Sequence, residues 1–568
     1  RQADVGFTDL ETVWLLSFAA LGLAAIDWPL KPRRLLDALK ARLPAPVDQA
    51  ILAGITLIAL LARTIALDRF PLIFGGDEGV AATSARAVLQ GLSKDPFATG
   101  WNGIPTAFFF WLAGAMKIFG DSVVGVRAFN AIVGTLSVLF TFLLVKRWFG
   151  RTTAVVAGLL LAVFHYHLFF SRTAMYTNGD ALMPVVALYF LDRAIASGRR
   201  ITALITGLMA GFAGYFYFGA RLVLPAMAVY LACAYLFAEP GSGQVLAERT
   251  KERTRSFLRV LSWALAGMAL AILPLVAYYS AHFAELASRA GQVSMFQSGW
   301  LTHEIQITHK PAVWIVLNQF QRAVLIPFHT PPSRIFYGDE VPFIGVPMAI
   351  LLAIGVLLTI LQLWRRQYLA LLLTYWAIMA AVGISEDPSQ TQRVFGTAPF
   401  MAIFAAIALM ALARIVRALV GVPRLATAGL AAAVVLLGLW NLNYYFFSPT
   451  HDDRMYGRDP NTLVATQLAY SLHALAKPET VYFFAPPRMY YNGFQNLSFI
   501  APNAKGIDVT DAWTPATKLP PLTGPTVFAF LPHRIKELPL VQGAYPGGQL
   551  QQVKDTDGSV LFTTYEVG

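Results

Sequence analysis

Cysteine is nearly absent from this chain, and charge is scarce. The single cysteine, Cys233, lies in an apolar run. It can close no intrachain disulfide, which removes the disulfide-stapled secreted folds from consideration and leaves an inert buried thiol as its reading. Charged residues are 13% of the 568, where a soluble domain carries about 25%. No G-x-G-x-x-G follows a strand-like run, no P-loop occurs, and no His/Cys cluster has metal-ligand spacing. No stretch of soluble composition is long enough for a nucleotide-sugar-binding fold. If the chain is an enzyme, its activated substrate is expected to arrive through the membrane.

Hydrophobic residues are abundant, at 56%, and the mean hydropathy is +0.55. These values describe a polytopic α-helical membrane protein with room for a soluble appendage. The net charge of +12 is explained by basic cytoplasmic loops, and a nucleic-acid partner is not expected. The sequence opens at Arg1 rather than Met, so residues are expected to be missing or removed before it. No cleavable signal pattern is visible in what is given.

Apolar spans are expected near 11–27, 50–68, 122–146, 152–170, 181–195, 201–219, 222–237, 258–280, 343–363, 368–384, 398–418 and 425–447. Every second loop is basic. Lys31, Arg33, Arg34, Lys40 and Arg42 follow the first span; Lys146, Arg147 and Arg151 follow the third; Arg249, Lys251, Arg253 and Arg255 follow the seventh. This alternation is what about twelve transmembrane helices with basic cytoplasmic loops require. It puts the long loops 69–121 and 281–342 outside, together with residues 451–568. The expected organisation is an extra helix and basic loop at 1–49, a bundle at 50–450 and an extracytoplasmic α/β domain at 451–568. IPTAFFFWLAGAMKIFG (104–120) and VWIVLNQFQRAV (313–324) read as helices lying in the interface. In the C-terminal part, 481–485, 526–531 and 559–567 read as strands and 464–476 as a helix.

At the first outer mouth stands GGDEG, with the acids Asp77 and Glu78. The bland reading is that Asp77 caps a helix running from Glu78 to Gln90, with Gly91 as its stop. The surrounding order of motifs supplies another. GGDEG opens the first outer loop. The Pro-aromatic interfacial segment ending in Phe-Gly comes next, then VVGVRAFNAIVGTLSVLF with Arg127, LVKRWFGR, HYHLFFSRTAMYTNGD, and late in the chain PSQTQRVFGTAPF. In this order the chain resembles the C-type membrane glycosyltransferases, in particular bacterial relatives of the protein O-mannosyltransferase and aminoarabinose transferase family (family 39). The resemblance covers roughly 50–240, and 258–450 more loosely.

That resemblance implies inverting transfer of a sugar from a polyprenyl-phosphate donor to an acceptor protein or glycolipid at the outer face of the cell membrane. It implies Asp77 as catalytic base and Glu78 as its partner or as an orienter of the acceptor. Arg172, Arg393 and Arg127 become candidates for the donor phosphate, because a guanidinium matches phosphate oxygens bidentately. For Arg172 the bland alternative is an interfacial anchor, and for Arg127 a helix-end anchor that supports the acids. Asp180 is a candidate second outer-loop acid for acceptor or metal, against simple Asn-Gly-Asp turn chemistry. Related oligosaccharyltransferases use the equivalent acid for a divalent metal, so Mg or Mn is carried as a candidate cofactor. Packing is the expected role of His165 and His167. His303, Glu304 and His309 read as a solvated loop.

The chain also departs from the family. The aminoarabinose-transferring relatives have a Lys before the Pro of the interfacial helix, where this chain has Trp101-Asn102-Gly103-Ile104. That speaks against aminoarabinose as the sugar. The extra span at 11–27 suggests assembly, with a membrane partner contacted through 1–30 or 451–568. The rival functions are a catalytically inactive subunit of this fold and a lipid flippase or transporter. Transporters usually show related halves and midplane polar groups, which are not evident here.

Overall fold

The structure is a computed structural model. It describes residues 7–25, 46–236, 246–333, 335–338, 340–448, 455–456, 459–475 and 480–568. The basic loop expected after the first span lies outside the described residues.

Among the described residues, five helices are long and apolar enough to cross a membrane: Pro46–Thr64, Val123–Phe149, Lys251–Ala281, Thr391–Val420 and Pro423–Phe446. The pair Arg151–Val163 and His165–Ser171, bent by 58°, adds a sixth if it is one span. The bend falls at Phe164, whose backbone is extended, and the amide of His165 that the break releases donates to Asn441 Oδ1 at 3.1 Å. Shorter or more polar helices stand at the other expected positions, including Asn178–Ser197, Arg200–Phe212, Val223–Leu236, Val346–Ile360 and Arg366–Gly383. The chain is therefore a multi-pass membrane protein. Arg200–Phe212 and the long helix Leu246–Ala281 pack backbone to backbone, because Gly207 faces the Ala264 carbonyl and Gly267 faces the Leu204 carbonyl.

The N-terminal helix Phe7–Ala25 leans on its own chain. Trp14 Nε1 donates to the Leu270 carbonyl at 2.7 Å, its ring meets Phe97 edge-on at 5.4 Å, and Phe18 stacks on Phe212 at 6.1 Å. The two apolar stretches read as interfacial form helices, at Ala107–Phe119 and Ala312–Leu325.

The C-terminal part is a five-stranded sheet in the order β2-β1-β3-β5-β4, with β1 Thr480–Phe484, β2 Lys505–Asp508, β3 Thr526–Phe530, β4 Gln549–Lys554 and β5 Val560–Val567. β1 runs parallel to β2 and β3, while β5 is antiparallel to β3 and β4. Apolar β1, β3 and β5 form the centre. KGID of β2 and QLQQVK of β4 are short, polar edges, which is why neither has a strand signature in sequence.

This sheet unit is tied to one end of the bundle through the helix Gly76–Leu89. Asn496 Nδ2 donates to the Phe74 carbonyl at 3.2 Å, Thr466 Oγ1 donates to the same carbonyl at 3.3 Å, and Phe74 stacks on Phe499 at 5.6 Å. Arg86 Nη2 reaches the Phe499 carbonyl at 2.9 Å and its guanidinium covers the Phe499 ring at 4.2 Å. The acidic helix is thus clamped between the bundle and the C-terminal unit.

Candidate functional site

The helix of the two acids begins two residues earlier than a cap at Asp77 would allow. Gly75 is the N-cap residue and Gly76 the first helical position, so Asp77 and Glu78 both lie in the first turn. A Cβ at Gly75 would run into the Tyr456 ring, which fixes glycine there. Asp77 makes no capping hydrogen bond. Glu78 instead takes the Gly75 N–H, at 3.2 Å. Successive helical residues point about 100° apart, and the two carboxylates meet different surroundings.

Glu78 is wholly buried, and its oxygens accept five donors. Arg127 Nε and Ala174 N bind Oε1 at 3.0 and 2.8 Å; Arg127 Nη2, Gly75 N and Tyr456 Oη bind Oε2 at 3.0, 3.2 and 2.8 Å. A carboxylate offers about four lone-pair sites, so this one is full. Arg127 is equally spent. Its three remaining N–H groups go to the carbonyls of Leu67, Pro71 and Ile73 at 3.0–3.2 Å. The expected phosphate role leaves Arg127 no donor to offer, because all five face Glu78 and the chain.

Arg172 likewise turns inward. Nη1 donates to Ala62 O at 2.8 Å, and Nη2 to Ile65 O, Ala66 O and Phe70 O at 2.8, 3.1 and 3.2 Å. These are the carbonyls at and just beyond the end of Pro46–Thr64, where a cation is favoured by the orphaned acceptors and the helix dipole. The guanidinium also lies over Tyr445 and Phe446, at 5.9 and 5.1 Å from the ring centroids. One buried donor of Arg172, Nε, has no acceptor. Arg172 does not line the cavity beside Asp77, and Glu78 does not line it either.

Asp77 differs from Glu78 in both partners and exposure. No described donor is hydrogen-bonded to its carboxylate. Partial burial pushes its pKa up to about 6, against the lowering pull of the Arg289 guanidinium and with a smaller upward push from Glu78. Arg289 is a residue that sequence reasoning missed, since it sits in an unremarkable helix, Phe283–Val293. Its Nη1 reaches Gln292 Oε1 at 3.1 Å and Asn102 Oδ1 at 3.4 Å, while its buried Nε has no acceptor. Tyr176 stands in the same field. Burial raises its pKa, Asp77 raises it further, and Arg289 and Arg393 oppose the shift. Tyr176 packs on Tyr217 at 5.1 Å and on Trp101 at 6.2 Å.

Arg393 donates through Nη1 to Asp387 O at 3.1 Å, and its buried Nε also lacks an acceptor. With Tyr217 and Arg221 it lines an apolar cavity of about 250 Å³ whose walls include Val293, Ile378 and Val382. Arg289 and Val293 are four residues apart and so share a helix face. Arg221 also lines a second apolar cavity of about 390 Å³, walled by Met268, Ile272, Tyr279 and Phe283. Asp77 itself lines a separate cavity of about 510 Å³ with Gly76, Phe336, Tyr456, Asp459 and Thr462.

Asp180 opens the helix Asn178–Ser197 rather than sitting in a free turn. Its Oδ1 accepts the Ala220 N–H at 3.0 Å, and a Cβ on Gly219 would strike its carboxylate. It thereby pins the segment that carries Tyr217 and Arg221. Glu78 is spent on Arg127, Asp180 is bonded to that segment through Oδ1 while its buried Oδ2 has no partner, and no three His, Cys, Asp or Glu side chains converge among the described residues. Among the described residues the donor set does not fit a divalent metal at Asp77. His165 is held to Tyr337 Oη at 2.7 Å, and His167 to Arg63 at 2.7 Å, both fully buried. His303, Glu304 and His309 line neither the apolar cavity of Arg393 nor that of Asp77.

Residues 104–251 match the family described as dolichyl-phosphate-mannose-protein mannosyltransferase. Over 92% of this chain and 97% of the other, the fold superposes on ArnT from Cupriavidus metallidurans bound to undecaprenyl phosphate, with a TM-score of 0.50 and 15% identity. The chain has the C-type glycosyltransferase fold. Looser likenesses are to the oligosaccharyltransferase of Archaeoglobus fulgidus (TM-score 0.46, 13% identity, 82% of this chain and 64% of that one) and to the arabinosyltransferase EmbB of Mycobacterium smegmatis (0.39, 16%, 86% and 46%). No curated protein sequence matches the chain. Within this C-type fold, Asp77 lines one cavity and feels the charge of Arg289, while Arg393 and Arg221 line the apolar cavity beside Val293.

Proposed function

We propose that this protein is an inverting glycosyltransferase that moves a sugar from a polyprenyl-phosphate donor to a hydroxyl acceptor at the outer face of the cell membrane. The observation that carries the reading is Asp77: a carboxylate with no donor bound to it, pushed up to about 6, close to arginines whose N–H groups are not all used. The family match and the ArnT structure with undecaprenyl phosphate supply the donor class.

The reaction needs a base on the acceptor and positive charge on the leaving group. Asp77 takes the proton as the acceptor oxygen forms its bond to the anomeric carbon from the face opposite the phosphate. The bond from that carbon to the phosphate oxygen breaks, and its electron pair stays with polyprenyl phosphate. Arg289 and Arg393 face the departing phosphate, a role that passes to them from Arg172 and Arg127. The apolar cavity below Arg393 receives the first part of the prenyl chain. Glu78 and Arg127 are positioning residues, since their hydrogen bonds go to each other and to the segments on either side of the Asp77 turn. Twelve spans, with the acidic end outside, follow from the alternation of basic loops.

Mass spectrometry of lipids from a deletion strain tests the reading. One polyprenyl-phosphate sugar should accumulate, be cleared by the wild-type gene, and persist with Asp77→Asn. A strain with an unchanged lipid profile would overturn it. An exported-only reporter fused after Gly568 should be active, and a silent one would reverse the topology.

A further inference from the structure

A further cavity with two arginines lies at the end of the bundle remote from Asp77. Two helices measure the separation. Asn178–Ser197 starts near the acids, where the Ala174 amide donates to Glu78, and its Ile195, about 22 Å along the axis from Asp180, lines the remote cavity. Arg366–Gly383 runs back the other way. Its Ile378 lines the apolar cavity of Arg393, and its Arg366, about 18 Å away along the axis, lines the remote one. Val223–Leu236 and Leu246–Ala281 complete the walls.

The cavity is about 280 Å³ in volume and has two sides. Arg253, Arg366 and Ser256 supply the polar one; Ile195, Leu231 and Phe257 supply the apolar one. No Asp or Glu is among its described lining residues. The walls are braced, since Tyr235 Oη meets Thr254 Oγ1 at 2.8 Å and its ring packs on Phe257 at 5.0 Å. Indole rings mark this end as a membrane boundary. Trp364 is exposed just before Arg366, and Trp263 lies under the Arg200 guanidinium at 5.9 Å. Arg199, Arg200, Arg255, Arg259 and Arg365 add positive charge in the same segments.

We infer that this cavity binds an acidic phospholipid of the leaflet remote from Asp77, with its phosphate between Arg253 and Arg366 and an acyl chain along the apolar side. A guanidinium matches phosphate oxygens in pairs, and here two come from different helices. Basic pockets between spanning helices recognise such headgroups. A zwitterionic headgroup would bring its own cation among the arginines, so a net negative one is favoured. A water-soluble anion would leave the apolar side facing water. A polyprenyl phosphate engaged in the proposed transfer has its phosphate at the other end of the bundle, so this lipid is a separate ligand.

The test is native mass spectrometry of the full chain in detergent, mixed with equal amounts of phosphatidylglycerol and phosphatidylcholine. Phosphatidylglycerol should be retained about fivefold or more over phosphatidylcholine, the range expected for arginines at an acidic headgroup. The double variant Arg253→Gln/Arg366→Gln should lower that retention about tenfold or more. Ala196 lines the cavity and is exposed. Ala196→Trp therefore fills the site, keeps both arginines and should lower retention as far. Arg255→Gln, on the same helix but outside the lining, should stay within about twofold of wild type, as diffuse surface charge is screened. Undecaprenyl phosphate retention should be unchanged in all three. Each variant should match the wild-type Tm in phosphatidylcholine nanodiscs; if the double variant does not, Ala196→Trp decides. Wild-type retention in Ala196→Trp would overturn the site, and so would a fall in Arg255→Gln as deep as in the double variant. Equal retention of the two lipids would overturn the acidic headgroup, and displacement of phosphatidylglycerol by inorganic phosphate would make this a site for a soluble anion instead.

Discussion

Asp77 and Glu78 are neighbours in sequence and have opposite lives in the structure. Glu78 is saturated by five donors and pairs with an Arg127 that is itself saturated. Asp77 holds no donor among the described residues, and Arg289 and Arg393, like Arg172, each keep a buried Nε without an acceptor. A closed network fixes geometry, while an open one has capacity for a substrate. Charge type alone does not separate the two; the count of satisfied hydrogen-bonding groups does.

Breaking the closed network should have the largest effect. Glu78→Gln leaves Arg127 as a buried cation without a counter-ion, and removal of one partner from such a pair costs about 3–5 kcal/mol. The expected outcome is poor expression and a markedly lower Tm in nanodiscs. A Gln variant with wild-type Tm and no turnover would instead make Glu78 a chemical group, and the contrast with Asp77 would fail.

Breaking the open network should remove activity and spare the fold. Asp77→Asn keeps an acceptor oxygen but cannot take a proton, and loss of a general base costs about 10² to 10⁴ in rate. Asp77 is raised from 3.8 to about 6 on folding. The sign is that of a group whose ionisation opposes folding: the penalty is absent below the unfolded value and fully present above pH 6 or so. At neutral pH the Asn variant should therefore be as stable as wild type or more so, with undecaprenyl phosphate still bound. Near wild-type turnover under chemistry-limited conditions would remove Asp77 from the reaction.

This division was only half legible in the sequence. The apolar runs, the basic alternation and the order of motifs led to the membrane bundle and to the acidic pair, and β1, β3 and β5 showed as apolar β-branched and aromatic runs. Which acid was which did not show, because the answer lies in partners 49 and 378 residues away, at Arg127 and Tyr456. Arg172 looked like a phosphate ligand because it stands at a helix mouth, but the carbonyls at the end of Pro46–Thr64 compete for the same guanidinium. Arg289 gave no local signal at all. It sits in no motif, and only packing brings its helix to Asn102.

Weakening the open network by one cation is the next step down. Arg289→Gln and Arg393→Gln should each lower affinity for undecaprenyl phosphate about 10- to 100-fold, the range expected when a hydrogen bond to a charged group worth roughly 1.5–3 kcal/mol is lost. A second readout separates the two arginines. The acid limb of the turnover profile should fall near pH 6 in wild type, with activity rising as pH increases and Asp77 ionises. Arg289 holds the Asp77 pKa down, so Arg289→Gln should move that limb to higher pH. Arg393 is not among the groups acting on Asp77 and should leave the limb in place. A limb that stays at its wild-type position in Arg289→Gln would show that the guanidinium does not act on the base.

The smallest effect should come from the Tyr456 hydroxyl, which joins the C-terminal unit to the closed network. Tyr456→Phe removes the hydroxyl that donates to Glu78 Oε2 and keeps the ring that fills the space against Gly75 and Phe169. The left-handed backbone there is unaffected, because Phe and Tyr have the same main-chain preferences. Oε2 still has Arg127 Nη2 at 3.0 Å and the Gly75 amide at 3.2 Å, so no buried charge is left bare. The loss should be about 1 kcal/mol, that of one hydrogen bond in a network that survives it. A small drop in Tm, retained lipid binding and less than a tenfold fall in turnover are expected. Should Tyr456→Phe instead lose turnover as deeply as Asp77→Asn while keeping its Tm, the tyrosine would belong to the chemistry, and the line drawn between the spent acid and the open one would have to be moved.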